Sequence, residues 1–161
     1  MRPIDRGNWP TNTAGENIVF TEYQQARGEL IKRMGELCSF CEMHLDTSLA
    51  VEHVQPKQPI GATAIIAARL LDWHNFLLAC TNCNSTKSNK DVILDYYLWP
   101  DRDNTYHSFA YSEGGIVNAS ATLSPLLQQK ANNMIKLVGL DKRPSVIKEA
   151  SDRRWLNRKE A

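Results

Sequence analysis

Four cysteines stand in two pairs of identical spacing, Cys38-x-x-Cys41 and Cys80-x-x-Cys83. Two intervening residues suit a turn whose sulfurs converge on one ion, and two such turns complete a tetrahedral thiolate site of the structural zinc type. The competing reading is disulfides, which a chain in a reducing compartment rarely keeps. The opening MRPIDRGNWP lacks the apolar stretch of a secretion signal, and no run of about 18 apolar residues occurs, so the sequence reads as a soluble, cytoplasmic protein with no membrane partner. Zinc is then the expected occupant. It would clip the 38 residues between Cys41 and Cys80 into a closed loop, and zinc sites in small peptides contribute on the order of 10–16 kcal/mol.

Inside that loop VEHVQPK places Glu52 beside His53 in a β-prone run. Neighbouring side chains on a strand point to opposite faces, so the two cooperate only if the chain bends or another element supplies a common partner. An imidazole has an unperturbed pKa near ~6.5 and accepts a proton at neutral pH, which suits a general base. Further on come Trp73-x-Asn75 and, directly after the last cysteine, Asn84-x-x-Lys87.

The elements that must position these residues follow from pattern. Pro3, Gly7, Pro10 and a polar run to Asn17 predict an extended N-terminal arm over 1–20, on the surface or on a partner. TEYQQARGELIKRMG opens with a Thr-x-x-Gln capping box and repeats Tyr23, Ala26, Leu30 and Met34, an amphipathic helix ending near Gly35. LAVEHV reads as a strand stopped by Pro56 and Pro59, GATAIIAARLLDW as an insertion carrying a helix, NFLLAC as a second strand, and TNCNSTKSNK as a helix capped by its Thr and Asn residues. A core over 21–95 is followed by an extension over 96–161: a turn-rich WPDRDNT, a hairpin around Glu113-Gly114-Gly115, a helix from Ser124-Pro125 to Gly139, and a last helix from about Pro144–Ser145 with no stop signal, so that the chain is cut short there or the helix docks elsewhere. The fold class is α+β.

The ordered set Cys38-x-x-Cys41, Glu52-His53, Trp73-x-Asn75 and Cys80-x-x-Cys83-Asn84-x-x-Lys87 resembles the zinc-stapled branch of the HNH endonucleases, over roughly a third of the chain. The resemblance implies a ββα-metal core, two strands and a helix around one catalytic ion. His53 would be the general base, Glu52 and Asn84 would hold magnesium or manganese, and Asn75 would hydrogen-bond across the loop to keep His53 aimed. Asn84 stands where many relatives have histidine, and Glu52 where aspartate is common. Oxygen donors suit a hard cation where thiolates do not. Lys87 and Lys57 are candidates for contact with DNA phosphates, a solvated lysine being the alternative for Lys87. His44, His74 and His107 match no signature position, and Trp73 reads as a core anchor.

A looser resemblance, carried by MRPIDRG, CSFCE and WPDRDNT, is to the HNH proteins paired with an SMC-like ATPase in Septu-type and retron-associated antiphage defence. It implies a protein partner docked on the N-terminal arm or the C-terminal helices. Net charge is only +1, yet residues 130–161 carry nine Lys/Arg against four Asp/Glu. That tail is either phosphate-facing or the solvated basic face of a helix. Two rivals to a nuclease remain: a catalytically silent zinc module that binds nucleic acid or an ATPase, and a cysteine-redox protein, which two mutually complementary pairs disfavour.

Overall fold

The computed structural model describes residues 1–45, 47–142 and 152–160. Within them the chain is mixed α+β. Strand β1 (Ala50–His53) pairs antiparallel with β2 (Phe76–Ala79), with Glu52 opposite Leu77 and His53 opposite Phe76. Every residue of β2 is buried, as its unbroken apolar run FLLA requires. Helix α1 (Arg27–Met34) packs on β2, and Leu30, Met34, Phe76, Leu77 and Leu78 join one core. Burying each such side chain stabilises by about 1.5–3 kcal/mol.

Gly35 ends α1 at φ 77°, as its stop role predicts. The start differs from expectation. A 3-10 turn at Tyr23–Ala26 precedes α1, and Gln25 rather than Gln24 closes the cap: its Oε1 accepts from the Thr21 amide at 2.9 Å, and its Nε2 donates to Thr21 Oγ1 at 3.0 Å. The box keeps its spacing but starts one residue later than expected, with Glu22 at the N-cap and Gln25 at N3.

Between the strands the insertion forms only one helical turn, α2 (Ala67–Leu70), before a 3-10 turn at Trp73–Asn75 leads into β2. Helix α3 (Thr81–Lys87) follows β2 at once. Its N-cap is Cys80, whose sulfur accepts from the Cys83 amide at 3.4 Å, not a Thr or Asn. The expected hairpin is β3 (Phe109–Ser112) paired with β4 (Ile116–Ala119). Helix α4 (Pro125–Val138) begins with Ser124 and Pro125 as predicted and ends at left-handed Gly139. The expected start of the last helix near Pro144 and Ser145 lies outside the described residues; α5 (Arg154–Glu160) packs against the Glu113–Gly115 turn.

The N-terminal segment is only partly a surface arm: residues 11–17 are exposed, but its two ends are held on the chain. Ile4 and Phe20 are buried, the Ile4 amide donates to the Pro100 carbonyl at 2.8 Å, and Arg6 pairs with Asp101. Met1, Ile4 and Phe20 find cover on the chain itself, whereas Val19 is exposed. Among the described residues no helix is long and apolar enough to cross a membrane.

Candidate functional site: a cysteine cluster and a polar cleft

The Cys38–Cys41 turn and the start of α3 bring four buried sulfurs within 4.8 Å of one another. The Glu42 amide closes the turn on the Cys38 carbonyl at 3.0 Å, and Glu42, in the left-handed region at φ 63°, turns the chain back so that the Met43 carbonyl accepts from the Cys38 amide at 3.0 Å. The Ser39 amide, bonded to the Leu78 carbonyl at 2.8 Å, fixes this turn to β2. Cys41 Sγ lies 3.6 Å from Cys80 Sγ. That is far beyond a disulfide's ~2.05 Å, and close to the edge of about 3.8 Å that a tetrahedron with ~2.3 Å metal–sulfur bonds would have. Hydrogen bonds among the four sulfurs pull the Cys38 and Cys80 thiols below their ordinary pKa and push those of Cys41 and Cys83 above it. Four buried sulfurs in this arrangement could hold a zinc ion.

A cleft of about 310 Å³ opens where β1 ends beside α3, lined by Tyr23, Glu52, His53, Lys57, Asn84 and Ser88 among others. Glu52 and His53 do point different ways, as alternation demands. Glu52 turns toward α3, and His53 toward the 3-10 turn and β2. They share a cleft because β1 stops at His53 and the chain folds back over the strand end.

His53 is 7% exposed and held on three sides. Tyr23 and Phe76 meet its ring edge-on at 4.8 and 5.3 Å, and Nε2 lies 3.1 Å from the Leu70 carbonyl. A carbonyl only accepts, so Nε2 carries the proton and Nδ1 is the basic nitrogen. Burial lowers the His53 pKa from its ordinary value; the Leu70 carbonyl opposes this, and the Lys57 and Lys87 cations add to it.

Asn75 spans the loop. Its Nδ2 donates to the Gln55 and Arg69 carbonyls at 2.9 and 3.0 Å, and its Oδ1 accepts from the Gln55 amide at 2.8 Å. Among the described residues no hydrogen bond joins its side chain to His53. Asn84 lines the cleft, and among the described residues its side-chain amide makes no hydrogen bond. Lys57 lies 4.0 Å over the Tyr23 ring at the cleft wall.

Lys87 is neither a solvated lysine nor a free phosphate ligand. It is fully buried, and its Nζ donates to Glu52 Oε1 and to the His53 carbonyl, each at 2.7 Å. Residues four apart share a helix face, and Cys83 must face inward to reach the sulfur cluster, so Lys87 faces inward too. Burial raises the Glu52 pKa, and the Lys87 charge opposes it. Glu52 is thus already paired through one oxygen, while Oε2 has no hydrogen bond among the described residues.

His44, His74 and His107 lie outside the cleft, and Trp73 is fully buried with Nε1 bonded to the Gly7 carbonyl at 3.0 Å. Sequence pattern did not single out Tyr23 as a wall of the site, because it looked like one more member of an apolar stripe. Nor did it reveal the Leu70 carbonyl, a backbone group with no residue signature. The basic C-terminal segment divides: Arg153 and Lys159 are exposed, while Arg154 is buried and reaches Cys83. No protein-family model matches the sequence, and no curated protein matches it.

Proposed function

We propose that the cleft hydrolyses DNA phosphodiester bonds as an HNH endonuclease does, β1, β2 and α3 forming its ββα-metal core. One observation supports this above others: Glu52, His53 and Asn84, residues from two elements brought together by the cysteine turns, line a single polar cleft. Glu52 Oε2 and the Asn84 amide oxygen are hard donors suited to magnesium or manganese. When bound, such an ion offsets phosphate charge and stabilises the departing 3′-oxygen. His53 Nδ1 takes a proton from the attacking water while Nε2–H stays on the Leu70 carbonyl, and Lys57 lies within the same wall for a phosphate oxygen. The products would carry 5′-phosphate and 3′-hydroxyl ends.

A plasmid-nicking assay in magnesium or manganese tests this. His53→Ala should lower the rate about 10²–10⁴-fold; an unchanged rate removes His53 as the base. A second reading, a silent zinc module that binds nucleic acid or an ATPase, has its own support: Glu52 already has a cation in Lys87. It requires that no cleavage occur in either metal and that manganese not bind.

The looser resemblance supports a role as nuclease effector of antiphage defence beside an SMC-like ATPase. The three stretches that carry it adjoin in the fold, since Arg6 pairs with Asp101, and the Arg2 amide donates to Glu42 Oε1 at 2.8 Å. Co-purification with such an ATPase is the direct check, and failure to associate would leave a stand-alone enzyme.

A further inference from the structure

Two arginines of α5 face the cysteine cluster, and only one has a carboxylate partner. Arg154, 2% exposed, donates Nη1 to Cys83 Sγ at 3.0 Å and to the Val138 carbonyl at 2.7 Å. Its Nε and Nη2 clasp Asp152 at 2.8 and 2.5 Å, but Lys142 Nζ shares that carboxylate at 3.6 Å, so one anion faces two cations. Arg158, one turn on and therefore on the same helix face, lines a cavity of about 350 Å³ with Cys41, Glu42, Tyr111 and Arg154, the Glu42 carboxylate being taken by the Met1 ammonium and the Arg2 amide. Its Nε donates to the Gly115 carbonyl at 2.8 Å, yet Nη1 is buried without a partner. Among the described residues no carboxylate lies within ion-pair distance of Arg158.

A guanidinium nitrogen buried with neither a hydrogen-bond partner nor an ion-paired carboxylate is costly. Four neutral thiols, or two disulfides, supply no negative charge. Four thiolates around Zn²⁺ carry a net charge of 2−. We propose that Arg154 and Arg158 are the counter-charges of a zinc tetrathiolate, so that zinc binding and docking of α5 are one coupled equilibrium. Hydrogen bonds from charged donors to metal-bound ligands are stronger than neutral ones, and groups that contact metal ligands tune affinity as the ligands do. The docking position is fixed sterically as well. Gly115 lies at φ +69°, and a Cβ there would stand 2.0 Å from the Trp155 carbonyl oxygen, so the α5 backbone rests directly on this glycine. Zinc would thus organise a helix that begins 71 residues beyond Cys83. None of this depends on the cleft having activity.

The test is zinc retention by the full chain against a chromogenic chelator, with amide exchange over 152–160 followed in parallel. Arg154→Gln with Arg158→Gln should weaken zinc binding about 10–100-fold, the matching pair of Lys substitutions should weaken it less because charge is kept, and Gly115→Ala should weaken it by displacing α5 alone. Exchange in α5 should rise when zinc is stripped from the unmodified chain. If the double Gln variant does not fold, Gly115→Ala and the unmodified chain decide. Equal zinc affinity in Gly115→Ala and the unmodified chain would overturn the coupling. So would a purified protein without zinc, or α5 protection that survives zinc loss.

Discussion

The Lys87 ammonium ties both chemical residues of β1 to α3, 2.7 Å from Glu52 Oε1 and 2.7 Å from the His53 carbonyl, with none of the lysine exposed. Removing one partner of a buried ion pair leaves the other uncompensated, at a cost of about 3–5 kcal/mol. Lys87→Met should therefore lower Tm by roughly 6–20 °C for a domain of this size. Adding Glu52→Gln to it should recover part of that loss, since no lone charge remains. Thermal denaturation followed by circular dichroism checks both. If the proposed ion sits on Glu52, manganese should raise the Tm of Lys87→Met more than that of the unmodified protein. A Lys87→Met variant that melts with the unmodified chain would show that the pair is not buried in solution.

The same lysine shows where sequence reading reaches its limit. Spacing alone made the cysteine cluster legible, because a metal imposes a geometry that repeats along the chain whatever lies between. The β1–β2–α3 order, the 109–119 hairpin and α4 were legible from period and turn residues. Pairing across 35 residues, as between Glu52 and Lys87, was not, because it depends on how α3 rolls against β1. One clue was present. Lys87 follows Cys83 by four, and a cysteine committed to the cluster fixes which face of α3 is inward. The burial of Met1, Ile4, Arg6 and Phe20 had no comparable clue, since proline and glycine mark irregular backbone without saying whether another segment covers it.

His53 should titrate below its ordinary value of ~6.5. Burial is the largest cause, and the Lys57 and Lys87 charges add to it against the Leu70 carbonyl. A histidine whose folded pKa is depressed is neutral in the fold while the unfolded chain still takes up a proton. Its contribution to stability is therefore complete above about 6.5 and is lost as pH falls through the folded value. Proton NMR of the imidazole, without magnesium or manganese, measures this directly. Lys57→Gln should move the midpoint upward by removing one cation, and the acidic limb of any nicking activity should move with it. A midpoint at or above 6.5 in the unmodified protein would contradict the buried placement of the ring.

Asn75 acts on His53 at one remove. Its Nδ2 holds the Arg69 carbonyl at 3.0 Å, and the next carbonyl along, that of Leu70, lies 3.1 Å from His53 Nε2. Fixing the backbone at 69–70 therefore fixes the ring. Asn75→Ala would leave two carbonyls and the Gln55 amide without their partner, and each unsatisfied buried group costs about 1–3 kcal/mol. Asn75→Asp has nearly the same shape but only accepts, so it keeps the Gln55 amide while setting an anionic oxygen against the Gln55 and Arg69 carbonyls. It should thus be as damaging as the alanine, which a role in filling space would not predict. Both should shift the His53 ring resonances and, if the cleft hydrolyses phosphodiesters as proposed, lower kcat more than they raise KM, because a base at His53 would be misaimed while substrate still enters. Unmoved His53 resonances in a folded Asn75→Asp protein would exclude this relay.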